Sequence, residues 1–312
     1  MIKVQILLSS YNGAKYIRRM IDSILNQHYK KISILVRDDG SSDETINILE
    51  DYASKHTFFS YFLGDNVGVI NSFKSLISKR DLSCDLFMFC DQDDYWFDSK
   101  VSTFVNVYQN SNNFHVPFLC VGDLITTDNN LKVISNSFWK DRGFDVDTFK
   151  YQSLFFENYF PGCNMALNGC FLSSADEIPT CYDFLMHDFY FIHIAVSLNC
   201  LYFERSPQMY YIQHESNVIG AKKPFLSKTF LTYFSPKYYV NRYREWLEVY
   251  RYIFNRYPYN SRLKFLSLFG NNLLPLDYFK LANRSDAIKF YCFYSIGYLV
   301  NLFISKLRFT RY

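Results

Sequence analysis

No two cysteines in this chain stand at the short spacing that zinc sites use. The eight are scattered at Cys84, Cys90, Cys120, Cys163, Cys170, Cys181, Cys200 and Cys292, which excludes a zinc-ribbon type of site and leads us to expect buried free thiols. Excess charge is also missing: a net charge of +3 does not mark a nucleic-acid binder. No signal-peptide h-region or cleavage site follows Met1, because Val4 to Leu8 runs straight into a strand pattern, so a cytoplasmic location is expected. Long hydrophobic runs are lacking too. The nearest, residues 290–304, holds Ser295, Gly297 and Asn301 and is short for a membrane span. What the chain has in quantity is aromatic side chains, 27 Tyr and 32 Phe, much of it after residue 150, so its second part differs in character from its first. A length of 312 residues suffices for one large domain, or for a domain with an appendage.

The first 110 residues alternate between two periods. Val4 to Leu8 reads as a strand ending in the polar turn Ser9-Ser10-Tyr11-Asn12-Gly13. Ile17, Met20, Ile21, Ile24 and Leu25 then mark one face of a helix. Ile32 to Val36 is a second strand, closed by Arg37-Asp38-Asp39-Gly40, and Ser41 with Glu44 stands at capping-box spacing before a helix carrying Ile46, Ile48, Leu49 and Tyr52. Phe58 to Leu63 is a third strand, followed by Gly64-Asp65-Asn66-Val67-Gly68 and a helical face of Val69, Phe73, Leu76 and Ile77. A fourth run, Asp85 to Cys90, stops at Asp91-Gln92-Asp93-Asp94.

Alternation of this kind predicts a mostly parallel α/β sheet covered by helices. Right-handed crossovers bring the carboxyl ends of its strands to one edge, where open α/β sheets bind ligands. Three carboxylates in four residues repel one another unless something positive sits among them. A divalent ion with a phosphorylated ligand answers that need. Helix capping is the other reading, and it suits Asp94 or Asp98 because an apolar periodic segment, a helix over 97–109, begins right after them. Further on, Phe118 to Thr126 reads as one strand, 136–160 has no clear period, Pro161-Gly162-Cys163-Asn164 is a turn before a strand and short helix, and His187 to Leu198 is a buried helix. Met209 begins a short aromatic strand that runs into a polar loop. Beyond 220 the strand alternation ends and helical spacing of Tyr, Trp and Phe predicts a helical appendage.

The motifs LLSSYNGAKYI, DSILNQ, ILVRDDGSSDET, GDNVGVINSF, FMFCDQDDYW, PGCNMALN, the pair His187-Asp188 and YIQHESNVIG, in this order and at this spacing, resemble the family 2 glycosyltransferases of the GT-A fold. Within that family the rhamnosyltransferase-like bacterial members are the most similar. The resemblance covers roughly residues 4–220, which divides the chain into a GT-A domain, 1–220, and a helical C-terminal region, 221–312.

A sugar transfer from a nucleotide diphosphate needs a base pocket, a cation on the diphosphate and a group that takes the acceptor's proton. Asp38 and Asp39 are suited to accept from the N3–H of uracil or thymine and from ribose hydroxyls, and the resemblance favours Asp39 for the base. It implies further that Asp93 binds Mg²⁺ or Mn²⁺ in a DxD element while Asp91 reaches the ribose or the same ion. Asp94 is expected in a supporting position. Asp188 matches the family's acid-base position, where proton removal from the acceptor leads to an inverting single displacement; capping of its own helix is the plainer alternative. His187 would orient Asp188 or touch the acceptor, or be an ordinary packed histidine. His214 would bind the diphosphate or complete the metal shell. By the same resemblance Ser10, Tyr11 and Asn12 line the base pocket, Asn66 and Gly68 give the nucleotide a close backbone approach, and Gly162, Cys163 and Asn164 form the floor near the sugar.

The implied donor is dTDP- or UDP-linked, dTDP-L-rhamnose or a UDP-hexose. The implied acceptor is a surface-polysaccharide or lipid-linked glycan. The apolar segment ending in Lys306, Arg308 and Arg311 would either lie on the inner face of an anionic membrane or pack on the body of the protein. Two other readings stay open on sequence: a sugar nucleotidyltransferase, which Ser9 to Gly13 fits poorly because it is no Gly-rich basic phosphate loop, and a non-catalytic scaffold with the same fold, which the joint presence of Asp93 and Asp188 opposes.

Overall fold

The computed structural model describes residues 1–112, 114–149, 154, 158–175 and 186–214. The predicted helical region 221–312, Cys181 and Cys292 lie outside these residues, as does the polar loop beyond His214. The chain forms two compact units, Met1–Asp147 with Tyr159–Ile219, and Thr148–Asn158 with Gly220–Tyr312. The described cysteines are free, and all but Cys170 are buried, as expected.

The predicted alternation forms as β1 (Val4–Ser10), α1 (Ile17–Leu25), β2 (Ile32–Asp38), α2 (Thr45–Lys55), β3 (Phe59–Leu63), α3 (Gly68–Ser78) and β4 (Leu86–Asp91). Ile6, Leu7 and Leu8 of β1 and Phe87, Met88 and Phe89 of β4 are all inaccessible to solvent. Consecutive apolar residues are what a strand covered on both faces requires. Helix α1 turns Ile17, Met20, Ile21 and Ile24 inward, and α3 turns Phe73 and Leu76.

With β6 (Leu119–Gly122), β9 (Met165–Asn168) and β10 (Leu201–Glu204), these strands form a seven-stranded sheet in the order β10-β6-β9-β4-β1-β2-β3. All its pairings are parallel except those of β9, which runs antiparallel between β4 and β6. Register decides the site: Ser10 stands opposite Asp38, and Ser9 opposite Asp91, so β1 ends between the two acidic strand ends.

A second sheet of β5 (Tyr95–Trp96), β11 (Met209–Ile212), β7 (Ile125–Thr127) and β8 (Val133–Ser135) was not legible beforehand. It accounts for three corrections to the local readings. The single strand expected from Phe118 to Thr126 is two, β6 and β7, in different sheets. The chain changes sheet at Asp123, whose buried carboxylate accepts from the amides of Leu124 at 2.8 Å and Trp139 at 3.1 Å and from Ser137 Oγ at 2.5 Å. The helix expected from 97 begins instead at Lys100 (α4, Lys100–Asn110), because Tyr95 and Trp96 are taken by β11. Asp94 therefore does not cap it. Third, the unclassified stretch after 136 contains β8's neighbour α5 (Phe138–Asp141), capped by Ser137 Oγ on the Lys140 amide at 3.1 Å.

The capping box at Ser41 and Glu44 is also absent. Ser41 Oγ donates to Asp38 at 2.6 Å, and Asp43 accepts from the Thr45 amide at 3.0 Å in its place. The remaining helices agree with expectation. Asn168 caps α6 (Gly169–Ser174), and α7 (His187–Ser197) is buried along nearly its whole length.

At the start of α7, His187 is 3% exposed, with its ring 4.3 Å from that of Phe73 and 5.5 Å from that of Phe89. Burial in this aromatic nest pushes its pKa down from 6.5 to about 3. The imidazole stays neutral in the fold and protonates once the chain opens. Its contribution to stability is fully present above pH 6.5 and is lost as pH falls from there toward 3. Urea midpoints measured across that window are expected to fall with acid, and less steeply in His187→Leu. Parallel slopes for the two proteins would refute this burial effect. Phe73→Ala, which empties the same nest, is expected to cost about 3–5 kcal/mol at neutral pH in the same measurement.

Candidate active site

The carboxyl ends of β1, β2 and β4 meet at one edge, and the acids there are held in two different ways. Asp38 and Asp39, at the end of β2, are engaged by the protein. Asp38 is fully buried and accepts from Ser10 Oγ at 3.1 Å, the Ser41 amide at 2.8 Å and Ser41 Oγ. Asp39 pairs with the buried guanidinium of Arg37 and accepts from the amides of Val67 at 3.1 Å and Gly68 at 2.9 Å. Arg37 reaches on to the Asp65 carbonyl at 3.0 Å. These bonds fasten the loop at 64–68 to the β2 end. Gly68 holds φ at +79° to turn its amide inward, a conformation that favours glycine. Asn66 caps the same amide with its side chain at 3.2 Å and is itself exposed.

Across the β1 turn, Asn12 adopts φ +46° and its Oδ1 accepts from the Ser42 amide at 2.8 Å, while its own amide donates to Ser41 Oγ at 2.8 Å. Tyr11 is 46% exposed at the mouth. Its amide and carbonyl are both paired by the side chain of Gln92, at 2.9 and 3.0 Å. Gln92 thus ties the β4 loop to the β1 loop, a role that its place between two aspartates gave no reason to expect.

The acids after β4 are a different case, because they have little positive charge among them. Burial, together with the charges of Asp93 and Asp188, pushes the Asp91 carboxyl up to about 7. Asp94 is pushed well up by burial and by Asp93 and Asp91. Asp93 Oδ2 lies 2.6 Å from Nε2 of His214, whose ring stacks on Tyr16 with centroids 4.6 Å apart and planes 16° from parallel. His214 sits just past β11, so the second sheet delivers it to the β4 loop. Beneath them lies Lys100, the first residue of α4 and fully buried, with its pKa lowered to about 8 by desolvation. Its Nζ donates to the Cys163 carbonyl at 3.0 Å and stands 4.0 Å over the Trp96 ring. A lysine on the same stripe as Phe104 and Tyr108 was a legible signal for a buried cation, since residues four apart share a helix face.

The opposite wall is the 3-10 turn Gly162–Asn164 and the start of α7. The Gly162 amide donates to Asp188 Oδ2 at 3.2 Å. A Cβ at Gly162 would lie 2.6 Å from His187 Nε2, so only glycine lets the turn approach the helix this closely. Met186, not Asp188, occupies the N-cap of α7. Asp188 is 7% exposed and near enough to Asp91 for its charge to act there. Asn164 donates from Nδ2 to the Asp123 carbonyl at 2.9 Å, joining the turn to the point where the chain changes sheet. The predicted residues Ser10, Asp38, Asp39, Asp91, Asp93, Asp94, Gly162, Cys163, Asn164, His187, Asp188 and His214 are thus gathered around one sheet edge. Tyr11, Asn12, Asn66 and Gly68 lie on its rim.

Carboxylate oxygens and an imidazole nitrogen suit a hard or borderline divalent cation, but among the described residues Asp93 and His214 meet only as a pair, and the ligand atoms that come within 4.8 Å of one another are those of Asp91, Asp94 and Cys163. Comparison with known proteins agrees with the architecture. The family model "Glycosyl transferase family 2" matches residues 5–160. The dTDP-rhamnosyl transferase RfbG of Shigella flexneri is 28% identical over 233 residues, covering 71% of this chain and 76% of that protein. The uncharacterized glycosyltransferase RT0329 of Rickettsia typhi is 34% identical over 122 residues, 39% of this chain and 37% of the relative. In fold, the crystal structure of S. aureus TarS with UDP-GlcNAc superposes with a TM-score of 0.56 at 15% identity, over 82% of this chain and 66% of that one. The GT-A reading of the sheet stands, and the nucleotidyltransferase and scaffold readings give way to a glycosyltransferase. This chain belongs to glycosyl transferase family 2.

Proposed function

We propose that this glycosyltransferase moves a sugar from a dTDP- or UDP-linked donor, with dTDP-L-rhamnose or a UDP-hexose as the candidates, onto a hydroxyl of a surface-polysaccharide or lipid-linked glycan, with inversion. The observation that carries this reading is the division of the sheet edge into two walls, with acids at the ends of β2 and β4 on one side and Asp188, bonded to the Gly162 amide, on the other. RfbG's name supports the dTDP-rhamnosyl candidate. TarS in complex with UDP-GlcNAc supports a nucleotide at this kind of edge only as an analogy of fold.

In this reading Asp39, whose carboxylate has room for one more donor beside Arg37 and the two amides, receives the base. Ser10, Tyr11 and Asn12 flank it, Asp38 keeps the loop in place, and Asn66 and Gly68 bring backbone close to the nucleotide. Asp93, Asp91 and His214 would hold Mg²⁺ or Mn²⁺, with Asp94 in support. A bound cation supplies charge to the departing diphosphate. Tyr16, stacked on His214, fixes the imidazole for that task. The turn at Gly162, Cys163 and Asn164 floors the sugar. Asp188 takes the proton of the acceptor hydroxyl as its oxygen bonds to the anomeric carbon and the bond from that carbon to the diphosphate oxygen breaks. His187, neutral and walled by phenylalanines, orients Asp188 through the backbone they share.

The reading separates binding from chemistry. Asp93→Ala is expected to abolish cation-dependent donor binding in calorimetry. Asp188→Asn should bind donor within about threefold of the parent yet release nucleoside diphosphate on the order of 10²–10⁴ times more slowly. Equal loss of donor affinity in both variants would remove the proposed division of labour. For the acceptor side, the reading places the chain at the inner face of a membrane through the basic end near Lys306, Arg308 and Arg311. Changing these three to Glu is expected to lower co-flotation with anionic vesicles, and an unchanged fraction would return the segment to a role in packing.

A further inference from the structure

Beside the Asp93–His214 pair lies a second group of ligand atoms. Asp91, Asp94 and Cys163 each bring one such atom to within 4.8 Å of the other two. Asp94 and Cys163 are each 1% exposed, while Asp91 keeps a partly exposed edge, so a small ion reaches the trio past Asp91. Compensation for these acids is slight: the charge of Lys100 acts on both through space, and the Cys163 thiol is the other group that lowers them. Lys100 is the buried cation beside them, yet its Nζ spends its hydrogen bonds on the Cys163 carbonyl and on Met209 Sδ, both at 3.0 Å. Among the described residues no ion pair joins it to Asp91 or Asp94. Asp94 Oδ1 accepts from the Ile212 amide at 3.3 Å, but its Oδ2, also buried, has no partner among the described residues. A buried carboxylate oxygen without a donor is costly, and a cation is what would relieve it.

We propose that Asp91, Asp94 and Cys163 form a further cation site that takes thiophilic divalent ions, Zn²⁺ or Cd²⁺. Two carboxylate oxygens and a sulfur suit those ions, whereas Mg²⁺ prefers oxygen alone. Binding exchanges a proton for the metal: the S–H bond of Cys163 breaks, a sulfur–metal bond forms, and the proton leaves to solvent. Because Asp91 also belongs to the proposed donor cation site, filling the trio withdraws it from that work and inhibits transfer. This inhibition rests on the transferase reading given above, whereas the binding does not.

Cd²⁺ titrated into the full chain, followed by the ultraviolet thiolate-to-cadmium charge-transfer band, tests the site without any activity. The parent is expected to hold one more tight equivalent than Cys163→Ser, and Asp94→Asn to hold that equivalent at least about tenfold more weakly. Cys163→Ser preserves side-chain volume, and Asp94→Asn serves alone should the first variant not fold. Equal stoichiometry and affinity in parent and variants overturns the proposal. Zn²⁺ inhibition of nucleoside diphosphate release at saturating Mg²⁺ then tests the consequence. A half-inhibitory concentration raised about tenfold in Cys163→Ser supports it, and an unchanged one overturns it. Should the Cd²⁺ difference appear while no donor is turned over, the cation site stands and the donor reading falls.

Discussion

The constraint on which the site depends is the repulsion among the carboxylates that follow β4. Asp91, Asp93 and Asp94 leave the sheet within four residues, and Asp188 adds a fourth charge from α7. Their proximity in a buried setting is unfavourable, and the fold supplies only a partial remedy through Lys100 underneath and His214 at the side. Much of the surrounding architecture serves to keep these groups together despite that cost. Helix α4 begins at Lys100, which lies buried beside the acids. The second sheet exists in this region to bring β11, and with it His214, alongside β4.

The contrast with Asp38 and Asp39 is instructive. Those acids are as deeply buried, yet their oxygens are met by Arg37, by serine hydroxyls and by amides from two loops. They behave as fasteners that set the shape of the β2 end. An acid whose oxygens are already occupied orders the protein and presents what remains to a ligand, whereas after β4 Asp93 meets only His214 and Asp94 only one amide, its Oδ2 being unmet among the described residues. Sequence shows both pairs only as adjacent aspartates after an apolar run, and hydrogen-bond supply distinguishes them.

Several local readings failed where a residue had two uses and tertiary structure chose the other. Ser41 stands at the right spacing to cap α2, but Asp38 is nearer and buried, and satisfying a buried carboxylate outweighs a cap on an exposed helix start. Asp94 looked like a cap for the helix beyond it. Two residues of β-bridge to β11 intervene, and the carboxylate points instead to the Ile212 amide. Phe118 to Thr126 has one continuous strand pattern, but Asp123 breaks it by bonding to amides and a hydroxyl from the segment that follows. Gln92, Lys100 and Tyr16 contribute through contacts with residues 81, 63 and 198 positions away, respectively to Tyr11, Cys163 and His214. Of these only Lys100 left a trace in the local pattern, as a lysine on an apolar helical stripe.

By itself the sequence determined the alternation of β1 to β4 with their helices, the sheet edge at which their loops end, and the family. Those follow from periodicity and from motifs whose order survives in the linear chain, because crossover handedness leaves little choice about where parallel strands finish. Only the tertiary structure decided the antiparallel insertion of β9, the second sheet, and the difference between acids that are satisfied and acids that are not. Each depends on pairing and burial between segments distant in sequence, where the free energy of one hydrogen bond or one buried charge outweighs any local preference.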